Sequence, residues 1–139
     1  MTFDKTDVDN LALVTWKEAR GEGMEGCRAV MHVITNRVGH PGFAHTLHDV
    51  IYGKNQFTSM SVSSDPEFNL VPSPNDAIFI ACHALALLVL AGSDEDVTKG
   101  AHYYANLKNT TSGWFFRNIV NNPAEHPATA TIGHHTFFK

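Results

Sequence analysis

Apolar positions repeat along this chain at two different periods, and the change from one to the other divides it. Leu11 and Val14, with Ala12, Trp16 and Ala19 beside them, fall at i, i+3 and i+4. That is the spacing of one helix face. It predicts a helix over residues 11–20, capped by Asp9 or Asn10 and broken by Gly21 and Gly23. Met24, Cys27, Val30, Met31, Ile34 and Val38 repeat in the same way and predict a helix over 24–38, ended by Gly39, Pro41 and Gly42. A short helix over 46–52 carries Leu47, Val50 and Ile51 and stops at Gly53. Residues 55–74 are polar and without period, and such long loops are usually functional or mobile. Ser73-Pro74-Asn75-Asp76 reads as a helix start, with Ser at the cap and Pro in the first turn. The stretch 74–91 is apolar nearly all round, as a central core helix would be. Beyond Gly100 the pattern changes: 101–107 is short and aromatic, 128–138 is Thr-rich and β-branched, and both read as strands. The expected class is α+β, a mainly helical body with a small β element, in one domain over residues 1–139.

Composition narrows the function. Hydrophobic residues at 43% exclude a disordered chain, and charged residues at 17% are sparse against a usual level of about 25%. A net charge of −4 argues against nucleic-acid binding, which needs a basic footprint. Nine histidines are the outlier; protonating them all reverses the sign of the net charge, so encounter with a charged partner depends on pH. Cys27 and Cys82 lie in apolar helical stretches and read as buried thiols, with a bridge between them left open. The longest apolar run, 77–91, falls short of the roughly 18 to 20 residues of a membrane span, so no stable membrane insertion is expected. The first ten residues are charged and unlike a signal peptide, so synthesis in the cytoplasm is expected, as a monomer.

Three groups of residues could carry chemistry. Glu18 and Glu22 flank the break between the first two helices. Like charges one turn apart, at a helix C-terminus, raise a carboxyl pKa, and burial raises it further. A carboxyl that keeps its proton at neutral pH suits a general acid. The alternative is a pair of solvated acids matched to Lys17, Arg20 or Arg28. The histidine pairs His45/His48 and His134/His135 have no zinc-ligand spacing, so no metal and no cofactor are expected. Aromatic residues beside amides, in Gln56-Phe57-Thr58, His102-Tyr103-Tyr104-Ala105-Asn106 and Trp114-Phe115-Phe116, suit carbohydrate. There the ring covers a sugar's apolar face and the amides bond its hydroxyls.

Taken together, these blocks resemble the cell-wall hydrolase family of the spore-cortex-lytic enzymes. Glu18-Ala19-Arg20-Gly21-Glu22, followed by Gly26, Ala29-Val30 and Asn36-Arg37-Val38, is similar to that family's opening. Gln56-Phe57-Thr58 stands where the family has Q-F-S, with Thr58 in place of the serine. Gly100 to Asn106, Trp114, and Ile132-Gly133-His134-His135-Thr136-Phe137-Phe138 resemble later blocks, and the likeness runs over about residues 11–138. Lys17 and the loop 61–73 depart from the family pattern.

The resemblance implies a lysozyme-like fold and cleavage of peptidoglycan glycan strands, with Glu18 as the catalytic acid. It also implies substrate contacts from Glu22, Gln56, Phe57, Thr58, His102, Tyr104, Asn106 and Trp114, with His102 lining the cleft. Lytic transglycosylase chemistry is expected, since no second carboxylate is compellingly placed; Glu22, Asp49 and Asp65 are the candidates. A hydrolytic muramidase, or a murein-binding module without catalysis, stays open. A small catalytic unit without an export signal also resembles a phage endolysin released through a holin-type membrane hole in host lysis.

Overall fold

Helix α1, Lys5–Ala19, begins earlier than its apolar pattern. Asp4 accepts from the Asp7 backbone N–H, and the Asp7 side chain accepts from that of Asp4, a reciprocal capping box. The expected caps therefore lie inside the helix. Asp9 pairs with Lys5 and His83, and Asn10 accepts from the Tyr52 hydroxyl. A polar first turn adds nothing to an apolar period, which is why the pattern placed the start too late. The computed structural model describes residues 2–139.

After a single 3-10 turn over Arg20–Glu22, helix α2 runs Gly23–Arg37, and it is the central helix. Cys27, Val30, Met31 and Ile34 face a helical core shared with α1, with α3 (Leu47–Tyr52) and with α5 (Ala77–Leu90). Ala29 and Val33, on its other side, pack with Ala101 and Phe137 in a second core beneath the sheet. Gly26 lets the 3-10 turn lie close: a Cβ there would stand 2.5 Å from the Glu22 Cβ.

Helix α5 is not the central helix that its composition suggested. It buries Cys82, Ala86, Val89 and Leu90 and leaves Ile80, Leu87 and Leu88 about half exposed. Its cap is Asp76, which accepts from the Phe79 N–H, while Ser73-Pro74-Asn75 form a turn ahead of it. Asp76 also accepts from the Trp16 indole N–H at 3.3 Å, which ties the start of α5 to α1. Cys27 and Cys82 are both buried and both free thiols.

The loop region contains a single turn of helix, α4 (Thr58–Ser61). The sheet is three-stranded and antiparallel in the order β1-β3-β2, with β1 Tyr103–Ala105, β2 Ala128–Ile132 and β3 His135–Phe138. The stretch expected as one strand folds back at Gly133, whose φ of 59° suits glycine. Between β1 and β2, α6 (Gly113–Phe115) runs into a wider turn over Phe116–Val120.

Phe137 is fully buried where α2 meets the sheet. Phe137→Ala is expected to cost roughly 3–5 kcal/mol of stability, read by denaturant unfolding. A loss under about 1 kcal/mol would mean that the sheet is anchored elsewhere.

Candidate active site

Glu18 occupies the last turn of α1, and three pieces of chain meet around its carboxyl. Ser59, from α4, donates its hydroxyl to Oε2 at 2.8 Å. The Tyr104 hydroxyl, from β1, reaches Oε1 at 3.4 Å. Burial raises the Glu18 pKa, and Asp65 and Glu67 push it the same way. The two hydroxyls oppose the rise because they bond the charged form better. Burial likewise raises the Tyr104 phenol, helped by the nearby carboxylate, so it stays a donor.

Each partner is held in place by contacts of its own. The buried Lys17 donates to the carbonyls of Ser59 at 3.0 Å and Phe68 at 2.9 Å, and so draws the loop after α4 onto α1. Arg20 stacks over Trp16 at 4.4 Å and makes a two-point pair with Glu67 further along that loop. On the opposite side, Asn36 donates to Asp96 and to the Ala101 carbonyl. Arg37 Nε donates to the His102 carbonyl at 2.7 Å. The end of α2 thereby fixes the chain entering β1. Tyr104 is then set against Phe137 and His135 and aimed at Glu18.

The carboxyl opens into a cavity of about 560 Å³. Glu18, Gln56, Phe57, Tyr104 and Trp114, all read from the sequence as site residues, line it. Arg37, Phe43, Asn55, Tyr103 and Phe115 join them. Trp114 is 55% exposed at its edge, open for a sugar face.

The other expected site residues lie elsewhere. His102 does not line the cleft: it lies just ahead of β1, and its ring is buried and stacks on His40 at 3.7 Å. Burial lowers its pKa and the neighbouring His40 adds to this, so His102 resists protonation. His135 is lowered by burial too, which shrinks the pH-dependent charge reserve expected of the histidines. Thr58 turns outward to Asp65, since one residue along a helical turn changes the direction of a side chain. Glu22 points at the β2–β3 turn, where its Oε2 meets the His134 backbone N–H at 3.4 Å and Nδ1 at 3.3 Å. Asn106 lines a separate cavity of about 570 Å³ with Lys108, Asn109 and His134, and no carboxylate lines that one.

Ser59 and Arg37 were not read as site residues. Arg37 lies within the block Asn36-Arg37-Val38, and Ser59 directly follows the block Gln56-Phe57-Thr58. Glu18 is the sole carboxylate lining the main cavity among the described residues. Of the alternatives, Asp49 pairs with His48 on the exposed side of α3, and Asp65 and Glu22 are engaged as above. No group of three or more His, Cys, Asp or Glu that could hold a metal occurs among the described residues.

Known proteins resemble both the sequence and the fold. The family described as Cell Wall Hydrolase matches residues 21–138. The spore cortex-lytic enzyme of Oceanobacillus iheyensis is 31% identical over 137 residues, covering 99% of this chain and 43% of that protein. The enzyme of the same name from Halalkalibacterium halodurans is 29% identical over 135 residues, covering 97% of this chain and 35% of that one. This chain therefore spans less than half the length of these relatives. The catalytic domain of the germination-specific lytic transglycosylase SleB from Bacillus anthracis superposes with a TM-score of 0.74 at 29% identity, covering 99% of this chain and 97% of that domain. The catalytic domain of the Bacillus cereus SleB protein has the same TM-score and identity, with 93% of that chain covered. The fold is that of these domains, lysozyme-like, with a mainly helical body and a small sheet.

The raised Glu18 pKa has a stability consequence. Such a carboxyl costs stability increasingly as the pH rises from the ordinary glutamate value to its own raised one, and by a constant amount above that. Glu18→Gln is therefore expected to raise Tm at pH 7, with the gain fading as the pH falls through the raised Glu18 value and gone below the ordinary glutamate value of about 4.3. A constant gain at every pH would contradict the assignment. Ser59→Ala removes a donor to the ionised form, so the alkaline limb of the pH–rate profile moves to higher pH. An unmoved or lowered limb would rule out this coupling.

Proposed function

Because the chain belongs to the Cell Wall Hydrolase family, we propose that it cleaves the β-1,4 bond between N-acetylmuramic acid and N-acetylglucosamine in peptidoglycan, as a lytic transglycosylase. One observation carries this reading: a single carboxyl, with its pKa raised, is the only acid among the described residues on the wall of the aromatic-lined cavity. Hydrolysis by the usual routes employs two carboxylates, one on each side of the sugar ring. Intramolecular transfer needs one.

Glu18 gives its proton to the glycosidic oxygen as the C1–O bond breaks. The leaving sugar departs with a new hydroxyl, and positive charge develops at C1 of the muramic residue. The Glu18 carboxylate, held by Ser59 and Tyr104, then takes the proton from that residue's C6 hydroxyl as the C6 oxygen attacks C1. A 1,6-anhydro ring forms, Glu18 is protonated again, and no water is consumed. Burial supports both halves of the cycle, since the group must hold a proton at the start and recover it at the end.

Trp114, with Gln56 and Asn55 in the same cavity lining, supplies a stacking face and amides for neighbouring sugars. The relatives that are spore cortex-lytic enzymes, and the structural neighbour titled a lytic transglycosylase, support the substrate class. Asp65 and Glu67 reinforce burial in favouring the protonated carboxyl. Mildly acidic pH is therefore expected to favour activity.

Purified murein digested with the enzyme and analysed by mass spectrometry is expected to give anhydro-muropeptides. Reducing ends would identify a hydrolase, and binding without turnover a murein-binding module. Glu18→Gln is expected to lower kcat at least about a hundredfold, the usual contribution of a positioned general acid. The finer reading, an endolysin released through a holin-type hole, is proposed on the sequence alone. Expression in a bacterium should then cause lysis when a holin is co-expressed and not otherwise.

A further inference from the structure

The mechanism above gives one strongly charged group in the cavity a structural task but no contact with substrate. Arg37 lies on the cavity wall that also holds Glu18. Its guanidinium is partly buried among three aromatic rings, with Phe43, Phe57 and Tyr103 centred at 5.1, 5.5 and 5.9 Å. Nε is committed to the His102 carbonyl. Nη1 reaches only the Gln56 side-chain oxygen, at a long 3.5 Å. Arg20 and Arg28 each pair with a carboxylate, whereas Arg37 has no such partner among the described residues. Desolvation disfavours its charge, and the distant Glu18 and the two tyrosines compensate for only part of this.

A cation kept in a partly dry cavity, oriented by one hydrogen bond and flanked by rings, has free N–H groups aimed at whatever fills the cavity. On the reading above, the occupant is a glycan of two alternating sugars. Both carry an acetamido group, which neutral amides such as Gln56 and Asn55 serve as well as a cation does. Only the muramic residue carries a lactyl ether, whose acyl oxygen is a carboxylate in bare glycan and an amide carbonyl where a stem peptide is attached. A planar fork with unspent donors matches such an oxygen, in a charge-assisted bond with the carboxylate and a weaker one with the amide.

We propose that Arg37 is a specificity-determining residue that binds the lactyl acyl oxygen of the muramic sugar and so sets which of the two alternating bonds faces Glu18. This rests on peptidoglycan being the substrate. A chain bound one sugar out of register would bring N-acetylglucosamine to this position and leave the guanidinium unpaired, at the cost of a buried charge without a partner.

The test uses binding on the Glu18→Gln background, so that nothing is cleaved. Three probes are compared by calorimetry: a tetrasaccharide of alternating N-acetylglucosamine and N-acetylmuramic acid with free lactyl carboxylates, the same glycan with each lactyl group amidated by alanine amide, and chitotetraose, which lacks lactyl groups. Glu18→Gln alone is expected to bind both muramyl probes at least tenfold tighter than chitotetraose, the carboxylate form the more strongly. Adding Arg37→Lys should remove most of that preference, lowering the affinity for both muramyl probes at least fivefold more than that for chitotetraose, with an unchanged far-ultraviolet spectrum. Equal loss for all three probes, or a preference that survives the substitution, overturns the proposal. Should the lysine variant fail to fold, the preference of Glu18→Gln itself decides: no discrimination between muramyl glycan and chitotetraose overturns it. The murein digest by the unsubstituted enzyme is read separately. Anhydro products without muramyl preference would refute the role of Arg37 and leave the proposed reaction standing, and muramyl preference with reducing-end products would do the reverse.

Discussion

The burial of the Glu18 carboxyl, which raises its pKa, is the constraint around which the rest of the site is built. A carboxyl in water loses its proton far below neutral pH, and only withdrawal from water, with like charges nearby, keeps it. Glu18 meets that condition by ending a helix whose sides are buried, under a loop on one side and a strand on the other. Neither cover is intrinsically stable. The loop after α4 is short of apolar anchors, and β1 is only three residues long. Each is instead fastened by charged or amide side chains from the two central helices: Lys17 and Arg20 hold the loop, and Asn36 and Arg37 hold the strand. Lys17 and Arg20 lie within two residues of the acid, at the end of α1, so a small shift of that helix would move the acid and its fastenings together.

Helix α2 makes this arrangement possible because it is buried on two sides with different residues. Large side chains face the helical body, while the small Ala29 lies against the sheet core and Gly26 lets the 3-10 turn at Glu22 lie close. Glu22 then bridges the turn before α2 to the β2–β3 turn, where Gly133 leaves room: a Cβ there would stand 3.0 Å from its carboxylate oxygen. The two acids of Glu18-Ala19-Arg20-Gly21-Glu22 thus have different work. The first faces the cavity, and the second braces the wall behind it.

Several of these features were legible along the chain. The periods of α2 and α3 locate them to within a residue or two, and the aromatic-and-amide blocks contain most of the cavity lining. The errors have separate causes. The start of α1 is polar and invisible to an apolar period. The outward face of α5 is as apolar as its inward face, so composition alone made it look central. Thr58 and Ser59 are both hydroxyl residues in one motif, and nothing in their order says which of them the turn of α4 points at Glu18. Similarly, His102 and Tyr104 share a block, and only the tertiary contacts, His102 stacked on His40 and Tyr104 against Glu18, show which ring reaches the cavity.

The amino-acid sequence by itself determined the elements with strong periodicity, the absence of a basic footprint, and the set of residue types from which the site is drawn. It did so because these are local or additive properties, carried by spacing, charge and composition. The tertiary structure alone decided which carboxyl is buried, which hydroxyl bonds it, that Glu22 braces a turn, and that Arg37 stands in the same cavity with no carboxylate paired to it among the described residues. Those depend on which surfaces α2 brings together. Glu18, Arg37, Ser59 and Tyr104 are up to 86 residues apart along the chain, and their distances in space are set by packing rather than by spacing.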